Sequence, residues 1–337
     1  MDHKKCTDLN DEEESYKQFI DKLNEFKNHP NLLSWYIDDE INPCFNKYLR
    51  NRSLSIHEID PNHPSFTVLC MPGETNALMN TTDIMGLDNY PIGRARIREI
   101  NYRNEQAYKE ILEAKPFISV IQIFDWAFLF GLNGVDQESS PPTLQEMKSM
   151  SWQGLVAGAK GLLFYSLWEF TEQNKTNIVE RWKDVIEFTD EIWKYKDVIL
   201  SIDKVNKIEY TQNYNVSFKQ WKYNKINYIV IVNLERGKEI FKINLLDNYK
   251  IHKEFGLGNY LKNGTELIFD LEPIDVIMIT YSKNSKKSSN LLAIFSIIII
   301  IIIIIVVSGF FSKKYLINKC QTKTFVESVS KLMTDDN

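Results

Sequence analysis

Short apolar segments alternate with amphipathic helical segments through the first 200 residues, and this alternation constrains the fold more than any other feature. A strand that is apolar on both sides must be covered on both faces, which is typical of parallel strands connected by helices. The predicted strands are residues 32–37, 66–70, 83–88, 117–124 and 161–168. We therefore expect an α/β fold with five parallel strands in this region.

Helical periodicity fills the intervals between these strands. Helices are predicted at 11–27, near 43–57, at about 94–114, and from the segment PPTLQEM onward. A further long helix follows the last strand, and six of its apolar residues are predicted to face inward. These are Ile178, Val179, Trp182, Val185, Ile186 and Ile192.

Beyond residue 200 the pattern changes to closely spaced strands joined by turn residues. The segments KIEYTQ, VSFKQW, NYIVIVNL, EIFKINL and DVIMITYS alternate as half-buried strands do. We predict a small antiparallel β-sandwich over residues 201–283, after a first domain over residues 1–200. The simplest interpretation of the sandwich is a spacer that packs against the first domain.

Residues 291–311 contain no charged side chain and include nine consecutive isoleucines. A helix of this length spans about 30 Å, the thickness of the bilayer hydrocarbon. The sequence therefore predicts a single transmembrane helix, with a linker at 284–290 and a polar tail at 312–337. Lysines flank the segment on both sides, so the charge bias does not fix its orientation.

Two signals disagree about the compartment. The first 18 residues have no apolar signal-peptide core, which fits a tail-anchored protein with a cytosolic barrel. Five Asn-x-Ser/Thr sequons precede the apolar segment, which fits an extracellular or lumenal ectodomain. They begin at Asn51, Asn80, Asn174, Asn215 and Asn263.

Composition excludes some partners. A net charge of −5 and a pI near 5.7 provide no basic surface for nucleic acid. The four cysteines have no CxxC or Cys/His spacing, and we predict neither a metal site nor a cofactor. The sequence does not indicate an oligomeric state.

The stretch SWYIDDEINP runs from an apolar strand directly into three carboxylates, Asp38, Asp39 and Glu40. In a TIM barrel, the carboxyl ends of the strands form the active site. The ends of the other strands carry Asp88, Tyr90, Gln122, Asp125, Trp168 and Glu169. Rings that stack on sugar faces and carboxylates that transfer protons are what a carbohydrate site needs.

The segments LLSWYIDDEINP, DIMGLDNYPIG and SMSWQGLVAGAKGLLFYSLWEF, with the trailing sandwich, resemble a known family. They are similar to the C-terminal part of TIM-barrel glycoside hydrolases of the large retaining clan that includes cellulases and β-galactosidases. The resemblance covers about residues 12–282. It implies a (β/α)8 barrel that is incomplete here, with about strands four to eight present.

The same resemblance implies roles for individual residues. Glu40 falls on the general acid/base of the fourth strand, and Asp39 on the residue that contacts the sugar 2-hydroxyl. Trp168 falls on the sugar-platform tryptophan of strand eight, and Tyr90 lies near the aromatic residue of strand six.

The chain also departs from the family. Two residues separate Glu40 from Pro43, and the seventh-strand segment FISVIQIFDWAF lacks the nucleophilic Glu. Three alternatives remain open: Asp125 supplies the second carboxyl, Asp39 and Glu40 act together in substrate-assisted hydrolysis of an N-acetyl sugar, or hydrolysis has been lost. An upstream segment is expected to supply the first three strands and a signal peptide.

We therefore expect a membrane-anchored glycoside hydrolase with a carbohydrate substrate and Glu40 and Asp125 as catalytic residues. The expected substrate-binding residues are Asp39, Asp88, Tyr90, Gln122, Trp168 and Glu169. The alternative is a catalytically inactive carbohydrate-binding or adhesion ectodomain.

Overall fold

A computed structural model describes residues 13–70, 73–111, 114–127, 140–168, 178–247 and 249–283, together with Ile299. The chain divides into two compact units, Met1–Lys283 and Asn284–Asn337. Apart from Ile299, the predicted linker, apolar segment and polar tail lie outside the described residues. Among the described helices, none has both the length and the apolar character needed to cross a bilayer.

The first sheet consists of five parallel strands, as the sequence predicts. They lie side by side in chain order, which is the order of strands in an α/β barrel. Their bounds are β1 Trp35–Asp39, β2 Ser65–Leu69, β3 Ile84–Asn89, β4 Phe117–Gln122 and β5 Gly161–Tyr165. Because a closed barrel of this type has eight strands, the described sheet corresponds to part of one, with β1 and β5 at its edges.

Seven described α-helices accompany the strands. They are α1 Glu13–Phe26, α2 Asn46–Ile59, α3 Glu74–Leu78, α4 Glu99–Glu110, α5 Leu144–Ala157, α6 Ile178–Lys194 and α7 Lys196–Ile199. A short 3-10 turn, Pro43–Phe45, precedes α2, and the Asn42 side chain caps it by accepting a hydrogen bond from the backbone of Cys44. The helix predicted from residue 43 therefore begins as a 3-10 turn.

Helix α6 corrects one prediction. Of the six side chains expected to face inward, Val185 is buried and Ile192 packs against the core, whereas the other four are exposed. Phe188 completes the buried face. The apolar residues are spread over more than one face of the helix. The face with Val185, Phe188 and Ile192 is the one that packs against the core. The exposed members are Ile178, Val179, Trp182 and Ile186.

The region after residue 200 forms the predicted antiparallel sandwich, in two sheets of four strands ordered β10-β13-β8-β7 and β11-β12-β9-β6. The strands are β6 Glu209–Tyr210, β7 Val216–Tyr223, β8 Ile226–Asn233, β9 Glu239–Asn244, β10 Tyr249–Phe255, β11 Asn259–Asn263, β12 Glu266–Leu271 and β13 Val276–Lys283. Three of them, β10 to β12, were not predicted. In β10 and β11 polar side chains interrupt the apolar alternation, which weakens the sequence signal.

Helix α5 joins the parallel sheet to the sandwich. It begins with a capping box between Thr143 and Glu146, and most of its side chains are buried. Trp152 of this helix belongs to a core cluster that also contains Trp221 and Met278 of the sandwich. The sandwich therefore packs against the first domain, as expected of a spacer.

Candidate active site

A cavity of about 230 Å³ lies at the carboxyl ends of the parallel strands. All five strands or the residues directly after them contribute to its walls. The described residues that line it are Tyr36, Asp39, Glu40, Val68, Asp88, Tyr90, Val120, Phe124, Trp126, Leu163 and Tyr165. The cavity is therefore where an α/β barrel places its active site.

Glu40 enters this cavity from a strained backbone. Strand β1 ends at Asp39, and the amide of Glu40 still donates to the Val68 carbonyl at 2.9 Å. Its φ of +45° is a left-handed conformation that a non-glycine residue adopts at a cost of about 1 kcal/mol or more. The turn is held by Asp38, whose carboxylate accepts from the amide of Asp39 and whose carbonyl accepts from the Thr67 hydroxyl. Such strain persists where neighbouring contacts fix a side chain in place.

Glu40 and Asp88 form a hydrogen-bonded carboxyl pair. The Asp88 side chain is only 7% exposed. Burial raises the pKa of Asp88 well above its usual range, and so do the hydrogen bond to Glu40 and the charges of Glu40 and Asp39. The Tyr90 hydroxyl opposes this shift by donating to Asp88. The pair therefore retains a proton at a pH at which isolated carboxyls are ionised.

Two tyrosine hydroxyls complete the polar part of the site. Burial and the hydrogen bond with Asp39 raise the pKa of Tyr36. Burial and the charge of Asp88 raise the pKa of Tyr90. Both phenols consequently stay protonated at neutral pH and act as hydrogen-bond donors to the carboxylates.

Aromatic rings form the apolar part. Tyr90 stacks on Tyr165, with ring centroids 5.5 Å apart, and meets Phe124 edge-on at 5.2 Å. The Trp126 indole donates to the Tyr90 carbonyl at 2.9 Å, and the Arg94 guanidinium lies 3.6 Å from the centre of the Trp126 ring. These contacts make the rings of the cavity wall a mutually supported cluster.

The structure brings together four of the predicted site residues, Asp39, Glu40, Asp88 and Tyr90. It places Gln122 differently. This side chain is fully buried, and its amide donates to the carbonyls of Ile92 and Phe124 and accepts from the Ile92 amide. All of these partners are backbone groups, so Gln122 fixes the loops after β3 and β4. Gln122 is not among the described residues that line the cavity, and its role in substrate binding stays a prediction.

Two other predicted residues, Asp125 and Trp168, are not among the described residues of the cavity wall. Asp125 is buried and accepts from the amide of Ala127 at 3.0 Å, while the residues before and after it, Phe124 and Trp126, face the cavity. Successive side chains of an extended segment point to opposite sides, which explains why the expected partner of Glu40 is turned away. Trp168 is 71% exposed, three residues beyond the end of β5. Glu169 lies outside the described residues.

Sequence analysis missed four ring-bearing residues of the wall. A signal for three of them exists in the period of two. Tyr165 alternates with Leu163 along β5 as inward residues do, and Phe124 and Trp126 share the even-numbered register of Val120 along β4 and beyond it. Following this register would have selected Tyr165 in place of Trp168. The four residues are Tyr36, Phe124, Trp126 and Tyr165.

One group of side chains in this site has the spacing of cation ligands. Ligand atoms of Glu40, Cys70 and Asp88 lie within 4.8 Å of one another. Acidic groups at strand ends share such spacing in many proteins without an ion, and the Glu40–Asp88 hydrogen bond already uses the two carboxyls. We assign no metal to this site.

No protein-family profile matches the chain, and no curated protein matches it in sequence. Solved structures do match. An α-amylase from Anoxybacillus gives a TM-score of 0.53 at 7% identity over 81% of this chain and 64% of that one. AmyP in complex with maltose gives 0.52 at 8% identity over 82% and 69%.

The chain therefore has, in part, the α/β-barrel fold of these structures. An α-amylase from Geobacillus thermoleovorans complexed with acarbose agrees, with a TM-score of 0.50 at 9% identity over 81% of this chain and 65% of that one. The chain spans only 56–63% of the length of three further solved structures that it matches. Identities this low show the fold alone.

Proposed function

We propose that the chain is an O-glycoside hydrolase in which Glu40 and Asp88 carry out the proton transfer. The observation that carries this proposal is the buried Asp88 carboxyl beside Glu40 in a ring-lined cavity at the carboxyl ends of parallel strands, where burial and Glu40 raise the pKa of Asp88. A group that holds its proton near neutral pH is what general acid catalysis requires.

The two carboxyls have different surroundings and hence different tasks. Asp88 is buried, whereas Glu40 is half-buried and closer to solvent. Asp88 passes the shared proton to Glu40, and Glu40 donates it to the glycosidic oxygen, which leaves both groups as carboxylates until the pair takes up a proton again. Asp39 is the third carboxyl of the wall, and it accepts a proton from the attacking water.

This assignment differs from a retaining mechanism, in which acid and nucleophile lie roughly 5 Å apart. In this assignment Glu40 and Asp88, whose carboxyl oxygens lie within 4.8 Å of one another, share one proton and do not act as acid and nucleophile. We therefore propose direct attack by water, without a covalent intermediate.

Support for a saccharide as the substrate comes from the wall and from the solved structures. The Tyr36 and Tyr165 rings are partly exposed and can stack on a sugar face. The similar structures include complexes with maltose and with acarbose. We propose the same class of ligand for this chain.

A panel of chromogenic glycosides tests the proposal. Glu40→Gln and Asp88→Asn should each lower kcat by about 100-fold or more, the usual contribution of a positioned acid. Asp125→Asn is the matched control, because this buried carboxyl does not line the described cavity, and it should change kcat by less than about threefold. Wild-type turnover that survives both substitutions would overturn the assignment, provided that circular dichroism shows the variants to be folded.

A second function is favoured by one specific observation. The segment FISVIQIFDWAF, which contains β4, has no glutamate. A carbohydrate-binding or adhesion protein that does not hydrolyse its ligand would have this feature. Sugar binding by wild type and by Glu40→Gln, with no turnover of any glycoside by wild type, would support this second function.

We further propose that residues 291–311 anchor the chain in a membrane, with the barrel-like part extracellular or lumenal. Cys44 is disulfide-bonded, which suits an oxidising compartment, and the sequon residues Asn51, Asn80 and Asn263 are exposed. The alternative is a tail anchor with a cytosolic barrel. Endoglycosidase treatment should increase gel mobility if the first orientation holds, and resistance to carbonate extraction tests the anchor itself.

A further inference from the structure

The charges on the cavity wall are all of one sign. Asp39, Glu40 and Asp88 are carboxyls, and the described residues that line the cavity include no lysine, arginine or histidine. Arg94 is near but lies against the Trp126 ring. A ligand that enters this cavity therefore meets negative charge without a compensating cation in the wall.

One buried atom of this wall lacks a partner. The Oδ1 atom of Asp88 is inaccessible to solvent and accepts no hydrogen bond within the described part of the chain. A buried carboxyl oxygen without a hydrogen-bond donor costs free energy. A ligand that donates a hydrogen bond at this position would recover part of that cost.

Aromatic faces lie beside the carboxyls. The ring centroids of Tyr36 and Phe66 lie 5.2 Å apart. Elsewhere in the cavity wall, the Tyr165 ring stacks on the Tyr90 ring. A cation over an aromatic face is attracted by the ring electrons, and more strongly as it is desolvated. Carboxylates together with aromatic faces are the elements of an ammonium-binding site.

We propose that this cavity binds an amino sugar with a free ammonium group in preference to a neutral or an acidic sugar. The inference rests on the proposed saccharide-binding function and names its substrate class. An ammonium carries three N–H donors, which suit the free Oδ1 atom of Asp88 and the carboxylates of Asp39 and Glu40.

Size and charge define which sugars are disfavoured. The cavity of about 230 Å³ is smaller than the usual drug-sized pocket and suits a single sugar ring. An N-acetylated amino sugar has lost the charge and adds bulk. A uronic acid brings a carboxylate towards three others.

Calorimetric titration of the full chain tests the proposal with glucosamine, glucose, N-acetylglucosamine and glucuronic acid as probes. We expect wild type to bind glucosamine at least about tenfold more tightly than glucose, and glucuronic acid least well. Asp39→Asn keeps the shape of the wall and should lower the affinity for glucosamine more than the affinity for glucose, which removes most of the preference. Asp190→Asn, an exposed position on α6, controls for net charge and should leave the preference intact.

Equal affinity for glucose and glucosamine in wild type would overturn the inference. So would a preference that persists in both Asp39→Asn and Glu40→Gln. These outcomes are separate from a failure of the proposed hydrolase: turnover of neutral glycosides without a glucosamine preference removes only the inference. A glucosamine preference without any turnover supports the inference and removes only the hydrolase.

Discussion

The Tyr165 ring stacks on the Tyr90 ring at an interplanar angle of 25°, and both rings face the same cavity as the Glu40–Asp88 pair. Tyr165 is the last residue of β5, whereas Trp168, the aromatic residue that the family resemblance indicates, lies beyond the strand. The position of the ring at the strand end, more than its type, determines which aromatic residue can contact a ligand in the described cavity.

Replacement of Tyr165 by leucine should weaken sugar binding by about tenfold. The variant loses a ring on which a sugar can stack, and it removes the ring that packs against Tyr90. Trp168→Leu is the matched control. It also removes an aromatic ring near the end of β5, and we expect less than a twofold change. Titration with the best-binding sugar measures both, and a larger loss in Trp168→Leu would contradict the assignment of the platform to Tyr165.

Asp88→Asn should stabilise the protein in neutral and alkaline solution. The folded-state pKa of Asp88 is raised above its ordinary value of 3.8, so the folded state binds more protons than the unfolded state above that pH. The free energy of unfolding of wild type therefore falls as pH rises from about 4 through the raised pKa, whereas the variant lacks this slope.

Urea unfolding at several pH values measures the effect of Asp88→Asn. We expect the variant to gain at least about 1 kcal/mol over wild type at roughly pH 8, with the difference shrinking towards pH 4. Asp190→Asn, at an exposed site, should follow the wild-type curve. A difference between Asp88→Asn and wild type that is independent of pH would argue against a protonated Asp88.

Gln122→Leu should destabilise the fold by about 2–4 kcal/mol, because it leaves backbone groups of Ile92 and Phe124 without their buried partner. Gln18→Leu, on the exposed face of α1, makes the same chemical change and should cost less than about 0.5 kcal/mol. Chemical denaturation of the two variants compares them directly. If both lose the same stability, the Gln122 amide does not hold the loops.

Gly86→Ala should cost about 1–3 kcal/mol through overpacking on the inner face of the sheet. A methyl group at this position would lie 2.7 Å from Cγ2 of Val68 and 2.9 Å from the Phe66 ring. At Gly237 the same methyl group would meet nothing within 4 Å, so Gly237→Ala is the control. Thermal unfolding should show a lower Tm for the first variant and little change for the second.

The regular part of the fold could be predicted from sequence because each parallel strand is a short apolar run that is recognisable without its neighbours. Strand ends were less accurate, and β5 stops three residues earlier than expected. The outer strands β10 and β11 carry many polar side chains, and no local pattern distinguishes them from loop. Strand β10 pairs with β13, which is distant in the sequence, and β11 pairs with β12. The strand conformation of β10 and β11 depends on this pairing.

The candidate site could be predicted only in part, for a similar reason. Position at a strand end selected Glu40, Asp88 and Tyr90, since all parallel strands present the same end. Whether a polar residue at that end faces the cavity or the backbone depends on the loop that follows. Gln122 and Asp125 both lie at the end of a strand, as the prediction required. In the structure, however, their side chains form hydrogen bonds with backbone groups.

Helix α5 has buried side chains around nearly its whole circumference, because the parallel sheet covers one side and the sandwich covers the other. Neither layer would then fold as an independent fragment. Cutting the chain near residue 200 would separate Trp152 from Phe255 and expose apolar surface on both pieces. The part that binds ligand and the part that looks like a spacer should therefore melt together, and any gene fusion or truncation must carry both.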